Sequence, residues 1–65
     1  MKNIIRQLRM EKSMTVTELA ETVGCNPMSI YRYETGHRIP DVDVAMKIAN
    51  ALGVTVDELM GKKAG

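Results

Sequence analysis

Two helical stretches, each with its own start and stop signals, are separated by only three residues, Gly24-Cys25-Asn26. The first opens with Thr15-Val16-Thr17-Glu18, where the Thr15 hydroxyl can accept from a backbone N–H near residue 18 while Glu18 reaches back. Leu19, Ala20 and Val23 then fall on one helical stripe, and Gly24 can take the left-handed conformation that ends a helix. The second opens with Asn26-Pro27, a favoured N-cap followed by proline at the helical position where its missing N–H is not needed. Ile30 and Tyr33, or Tyr33 and Glu34, face inward by spacing, and Thr35-Gly36-His37 closes the stretch. A connection this short forces a steep crossing of the two helices, and the small Ala20 lets the second approach closely.

The flanking sequence predicts three more helices. Residues 2–12 form the first, with Ile5 and Leu8 three apart and Met1 and Ile4 nearby, until Ser13 and Met14 break the pattern. The two capped stretches give helices over about 16–23 and 27–35. Pro40-Asp41 starts a fourth, capped by Asp41, with Val44, Ala45, Ile48, Ala49 and Leu52 at three-and-four spacing and Gly53 as its stop. Thr55-Val56-Asp57-Glu58 is a second capping box and starts a short fifth helix through Leu59 and Met60. Residues 61–65 read as a frayed tail. No strand alternation, repeat or low-complexity run interrupts this, so the expectation is one all-α domain over residues 1–65, built of five helices.

A chain of 65 residues buries only about 60% of its unfolded surface. That leaves no room for a deep pocket between layers and argues against an enzyme. With 45% hydrophobic residues but no Phe or Trp, the core must be aliphatic, the six methionines serving as adaptable filler. No apolar run approaches the ~18 residues of a membrane span. The start MKNIIRQLRMEK carries charges inside its apolar stretch, unlike a secretion signal. Cys25 is the only cysteine, which excludes an internal disulfide. The expected location is cytoplasmic, with no membrane partner.

The net charge of +1 is low for a nucleic-acid binder, but its distribution is uneven. Lys2, Arg6, Arg9, Lys12, Arg32 and Arg38 lie before residue 40; Asp41, Asp43, Asp57 and Glu58 lie after it. Either the folded chain has a basic face and an acidic back, or these are ordinary solvated charges. His37 is the only histidine and Cys25 has no partner, so no metal site and no cofactor are expected; Cys25 reads as a packing residue. Ser29 has no base near it in sequence, and no Gly-rich phosphate loop is present. No acid, base or nucleophile constellation supports catalysis.

Three segments in order carry a resemblance. They are Met14-Thr15-Val16-Thr17-Glu18-Leu19-Ala20-Glu21-Thr22-Val23-Gly24, then Ser29-Ile30-Tyr31-Arg32-Tyr33-Glu34-Thr35-Gly36-His37-Arg38-Ile39-Pro40, then the run from Lys47 to Leu59. Over about residues 4–60 the chain resembles the Cro/C1-type helix-turn-helix DNA-binding domain of the XRE family, phage-repressor-like. The resemblance implies a compact five-helix lambda-repressor-like fold with its helix-turn-helix core at about 15–35 and a recognition helix at 27–34 that enters the major groove. It implies base contacts from Pro27, Met28, Tyr31 and Arg32. Arg32 can bond guanine bidentately, Met28 can touch a thymine methyl, and Tyr31 can reach a phosphate or a base edge. It implies backbone contacts from Thr15 and Thr17 at the positive end of the second helix, from Asn26 and Ser29, and from His37 and Arg38 in the loop that follows. Arg9 and Glu34 match a structural ion pair of the family. The chain departs from the pattern at Val16, where glutamine is common, at Pro27, where a polar residue is common, and at Ser13, where glycine often ends the first helix.

Bland alternatives stay open for some of these residues. Arg32 also fits a solvated surface residue, Tyr31 surface packing, and Met28 a protein contact; Tyr33 reads as core. The expected function is sequence-specific binding of double-stranded DNA by a transcriptional regulator. The chain shows no separate effector domain, which favours a simple repressor on a pseudo-palindromic operator. Two copies would bind half-sites about 34 Å apart. The exposed ends of helices four and five, around Val54, Val56 and Met60, are candidates for the homodimer contact. Activation and antitoxin autoregulation are compatible roles. The alternative is a protein-interaction module, for example an antitoxin-like partner of a toxin, that keeps the fold with weak or no DNA binding. The low charge, Val16 and Pro27 are on its side.

Overall fold

The computed structural model describes residues 4–60, and among them the regular structure is five helices: α1 Ile5–Glu11, α2 Val16–Val23, α3 Pro27–Thr35, α4 Val42–Leu52 and α5 Val56–Leu59. Met1, Lys2 and the tail 61–65 lie outside the described residues.

Helix starts follow the local signals wherever a capping side chain exists. Thr15 Oγ1 accepts from Glu18 N at 3.0 Å while Thr15 N donates to Glu18 Oε1 at 2.8 Å. Thr55 and Glu58 repeat this box at 3.1 and 3.0 Å. Asn26 Oδ1 accepts from Met28 N, and Asp41 Oδ1 from Val44 N. The first helix differs from its expected 2–12 span. It starts at Ile5, preceded by Ile4 at φ −116°, ψ 19° with no side-chain cap bond, and ends at Glu11. Ile4 has no acceptor to offer the orphan N–H groups, so the helix begins where Ile5 is fully buried.

Four helices end in a left-handed residue: Ser13, Gly24, Gly36 and Gly53. After α1, Ser13 N donates to Met10 O and Met14 N to Arg9 O, both at 3.0 Å. This pair of bonds is a Schellman closure, and the same pattern closes α3 at Gly36 and α4 at Gly53. Ser13, at φ 56°, is the one described non-glycine residue with positive φ. Its Cβ is strained there in a way glycine is not.

One core joins all five helices. Ile5, Leu19, Ile30, Ile48, Leu52 and Leu59 are its largest fully buried side chains, so every helix contributes at least one. Burying each stabilises by roughly 1.5–3 kcal/mol. Helix α2 packs against α3 and α4, α5 against α4, and α1 against α3. The core is aliphatic plus Tyr33, as expected, but methionine is not its filler. Among the described methionines, only Met14 and Met60 pack partly against it, whereas Met10, Met28 and Met46 are exposed. Val, Ala and Leu at three-and-four spacing already close the interior, leaving these flexible side chains outside.

Replacing Ser13 by glycine is expected to stabilise the domain by about 0.5–1 kcal/mol, because relief of the left-handed strain exceeds glycine's extra unfolded-state entropy. Thermal unfolding of S13G checks this; an unchanged or lower midpoint contradicts it. The Glu58 carboxyl is held below its ordinary value of 4.5 by the Thr55 backbone N–H first and the Thr55 side chain second. Folding therefore favours the ionised form. Its contribution is complete above pH 4.5 and is lost as pH falls through the lowered value. The stability difference between wild type and E58Q should shrink over that window and persist at neutral pH.

Candidate nucleic-acid interface

The joint between α2 and α3 is made by backbone groups. Gly24 N and Cys25 N both donate to Ala20 O, at 2.8 and 2.9 Å. Cys25 is half-buried and packs against the core, and its burial pushes the thiol pKa up. Asn26 is extended, and its carbonyl accepts from Ser29 N and Ile30 N, so α3 starts one residue later at Pro27.

Ile30 and Tyr33 anchor α3 from inside, and this fixes which side chains remain outside. At 3.6 residues per turn, Pro27, Met28, Tyr31, Arg32 and Thr35 fall within one arc of roughly 140°. All five are exposed, Met28 at 56% and Tyr31 at 57%. The four residues expected at base edges thus share one face. Ser29 does not join them: it is half-buried at the flank of the arc. Thr35 was not singled out from the sequence, yet it lies mid-arc. Its spacing of four and three from Tyr31 and Arg32 was the available signal, masked by its reading as a helix-ending residue.

The loop after α3 folds back on the helix end. Arg32 O accepts from His37 N at 3.0 Å and from Arg38 N at 3.2 Å. Thr35 Oγ1 lies 3.0 Å from Tyr31 O, 3.3 Å from Arg32 O and 2.8 Å from His37 Nδ1. His37 and Arg38 are both exposed and are held next to the α3 face.

At the start of α2, Thr15 and Thr17 are exposed and Val16 is half-buried against the core. Glu18 N is taken by Thr15 Oγ1 and Leu19 N by Thr15 O. The N–H groups of Val16 and Thr17 remain to meet an anion. The Glu18 carboxylate already occupies this end and offsets part of the helix-end field. No hydrogen bond among the described residues links Thr15 or Thr17 to the α3 face.

Arg9 and Glu34 tie α1 to α3. Arg9 Nε donates to Glu34 Oε2 at 2.6 Å and Nη2 to Oε1 at 3.2 Å, with side chains only 12% and 4% exposed. Nη1 donates to Met14 O at 2.8 Å. The hydrogen bond to Glu34 holds the Arg9 pKa above its ordinary value, against the opposing effect of burial. Among the described residues, no group of three or more His, Cys, Asp or Glu is placed to hold a metal ion, and no helix is long and apolar enough to cross a membrane.

The family model described as helix-turn-helix matches residues 5–59. The chain belongs to the Cro/C1-type (XRE) helix-turn-helix family. This is a family of DNA-binding regulators rather than enzymes, and the five-helix lambda-repressor-like fold is its fold. The helix-turn-helix chain is 36% identical over 63 residues to Multiprotein-bridging factor 1a of Arabidopsis thaliana, covering 97% of itself and 42% of that protein. It is 36% identical over 50 residues to the cryptic phage CTXphi transcriptional repressor RstR of Vibrio cholerae, covering 77% of itself and 45% of the repressor. A solved SinR protein/SinI protein complex contains a chain that superposes with a TM-score of 0.76 at 30% identity, over 82% of this chain and 52% of that one. The chain therefore spans under half the length of these two sequence relatives.

Removing one member of the Arg9–Glu34 pair leaves a desolvated charge. E34A is expected to lose about 3 kcal/mol of stability. An R9M/E34L double variant should recover a large part of that loss. Chemical denaturation of the three proteins checks this, and an E34A protein as stable as wild type contradicts it.

Proposed function

We propose that this helix-turn-helix domain is a sequence-specific transcriptional regulator that lays the exposed face of α3 in the major groove of duplex DNA. It acts as a repressor by occupying a pseudo-palindromic operator as two copies, and residues 1–65 work as one such unit. The observation that carries this reading is the α3 arc itself. Arg32, Tyr31 and Met28 stand exposed on one face, while Ile30, Tyr33 and the Arg9–Glu34 pair hold the opposite side. With its side chains an α-helix is about 10–12 Å across, and a major groove about 12 Å wide admits one.

In this reading Arg32 bonds guanine O6 and N7, Met28 and Pro27 give apolar contact, and Tyr31 reaches a base edge or phosphate. Asn26 and Ser29 at the start of α3, Thr15 and Thr17 at the start of α2, and Arg38 after α3 position the domain on the backbone. Ser29 contributes least, being half-buried. Two-fold pairing raises affinity through effective concentration. Its contact on this chain is the groove between α4 and α5, lined by Met46, Asn50, Val54 and Val56 among others. Val54, Val56 and Met60 are themselves half-buried against their own core, so Met46, at 56% exposure, is the larger apolar contribution. The cytoplasm is the location this reading assigns.

A second reading, a protein-interaction module such as an antitoxin-like partner of a toxin, is favoured by two observations. The net charge is only +1, and a similar fold occurs in a complex of two proteins. Selection of sites from a random duplex pool separates the two. Enrichment of a palindrome with a guanine whose preference falls by roughly 1–3 kcal/mol in R32A is the expected result. R38A should weaken binding uniformly across sequences and reduce the salt slope by about 1. Absence of salt-dependent DNA retention would sink the DNA reading in favour of protein partners of the Met28–Tyr31 face.

A further inference from the structure

Thr35 Oγ1 has one proton and three polar neighbours: Tyr31 O at 3.0 Å, Arg32 O at 3.3 Å and His37 Nδ1 at 2.8 Å. Carbonyl oxygens only accept, so a carbonyl contact is a hydrogen bond only if the hydroxyl proton points to it. Arg32 O already accepts from His37 N and Arg38 N, which leaves Tyr31 O as the nearer recipient. The hydroxyl oxygen then faces His37 with its lone pairs, and Nδ1 must be the donor. The opposite assignment, hydroxyl to Nδ1, gives up the bond to Tyr31 O. Nδ1–H is thus the tautomer that keeps both the Tyr31 O bond and the His37 contact. The residue is tied at two points, its backbone N–H on Arg32 O and its ring on Thr35.

In the neutral Nδ1–H ring, Nε2 is an acceptor. A phosphate offers only acceptors and has nothing to give it. In the major groove the donors are exocyclic amino groups, N6 of adenine and N4 of cytosine. Thr35 sits mid-arc between Tyr31 and Arg32, so the ring bonded to it extends the α3 face past the end of the helix. We propose that His37 reads the exocyclic amino group of a base through Nε2, with Thr35 as the positioning residue that fixes its tautomer. This rests on the DNA-binding reading above, and it moves His37 from backbone contact to base readout.

Two measurements test it. Long-range proton–nitrogen correlation on the free protein should show a protonated Nδ1 and a bare Nε2 in wild type. T35S should keep that pattern, and T35V should shift protonation to Nε2. Site selection from random duplexes, run with the same proteins and H37A, should show an adenine or cytosine preference at a position separate from the Arg32 guanine. That preference should drop roughly five- to tenfold in T35V and in H37A. It should fall no further in the double variant and should persist in T35S. Which base is selected distinguishes adenine from cytosine. A wild-type Nε2–H ring overturns the proposal. So does an amino-base preference untouched by H37A while R32A still loses its guanine, and that result leaves the DNA-binding reading standing. Failure of wild type to retain any duplex removes both.

Discussion

The Arg9 guanidinium is the joint on which the orientation of α3 depends. Three of its nitrogens are engaged: Nε and Nη2 with the Glu34 carboxylate and Nη1 with the Met14 carbonyl. One side chain thus links α1, the turn after it, and the far end of α3. Helix α3 buries only Ile30 and Tyr33, and two apolar contacts alone leave a nine-residue helix some freedom to roll about its axis. A planar fork on a carboxylate fixes direction as well as distance, which a lysine ammonium cannot do. The rotational setting of the Met28–Tyr31–Arg32 face follows from that fork.

The same arginine explains why a strained residue persists at position 13. The left-handed turn at Ser13 brings Met14 back over the end of α1, where Met14 N donates to Arg9 O and Met14 O accepts from Arg9 Nη1. Backbone and side chain of one residue therefore grip both polar groups of another. The turn is over-determined by these bonds, so the left-handed conformation survives without glycine. The remaining connections meet the same demand with Gly24, Gly36 and Gly53, because each must reverse direction within a few residues.

Those local devices are what made the fold legible in the sequence. A capping box, a proline after Asn26 and a glycine at a helix end each act within four residues, so Thr15–Glu18, Asn26–Pro27, Asp41 and Thr55–Glu58 mark their helices without reference to the rest of the chain. Where no local device exists, tertiary packing decides: α1 starts where Ile5 meets the core. Methionine placement is also tertiary, since hydrophobicity says nothing about whether an already closed interior has room. At the site, spacing exposed the shared face of Pro27, Met28, Tyr31 and Arg32 because anchors and exposed residues alternate with the helical period. The link from Thr35 to His37 spans two residues across a helix end, where periodicity fails, and only coordinates reveal it. At the start of α2 the capping motif is legible in sequence, but that the Glu18 carboxylate occupies the same helix end that would attract phosphate follows only from its bond to Thr15 N.

In the proposed reading, the exposed arc of α3 and the loop that continues it form the surface that meets DNA. Backbone amide shift mapping during titration with a duplex that the domain binds addresses it directly. The largest changes are expected on Met28, Tyr31, Arg32 and Thr35 and on His37 and Arg38, with smaller ones at Val16 and Thr17. Changes centred instead on Met46, Asn50, Val54 and Val56, with the α3 face undisturbed, would contradict it.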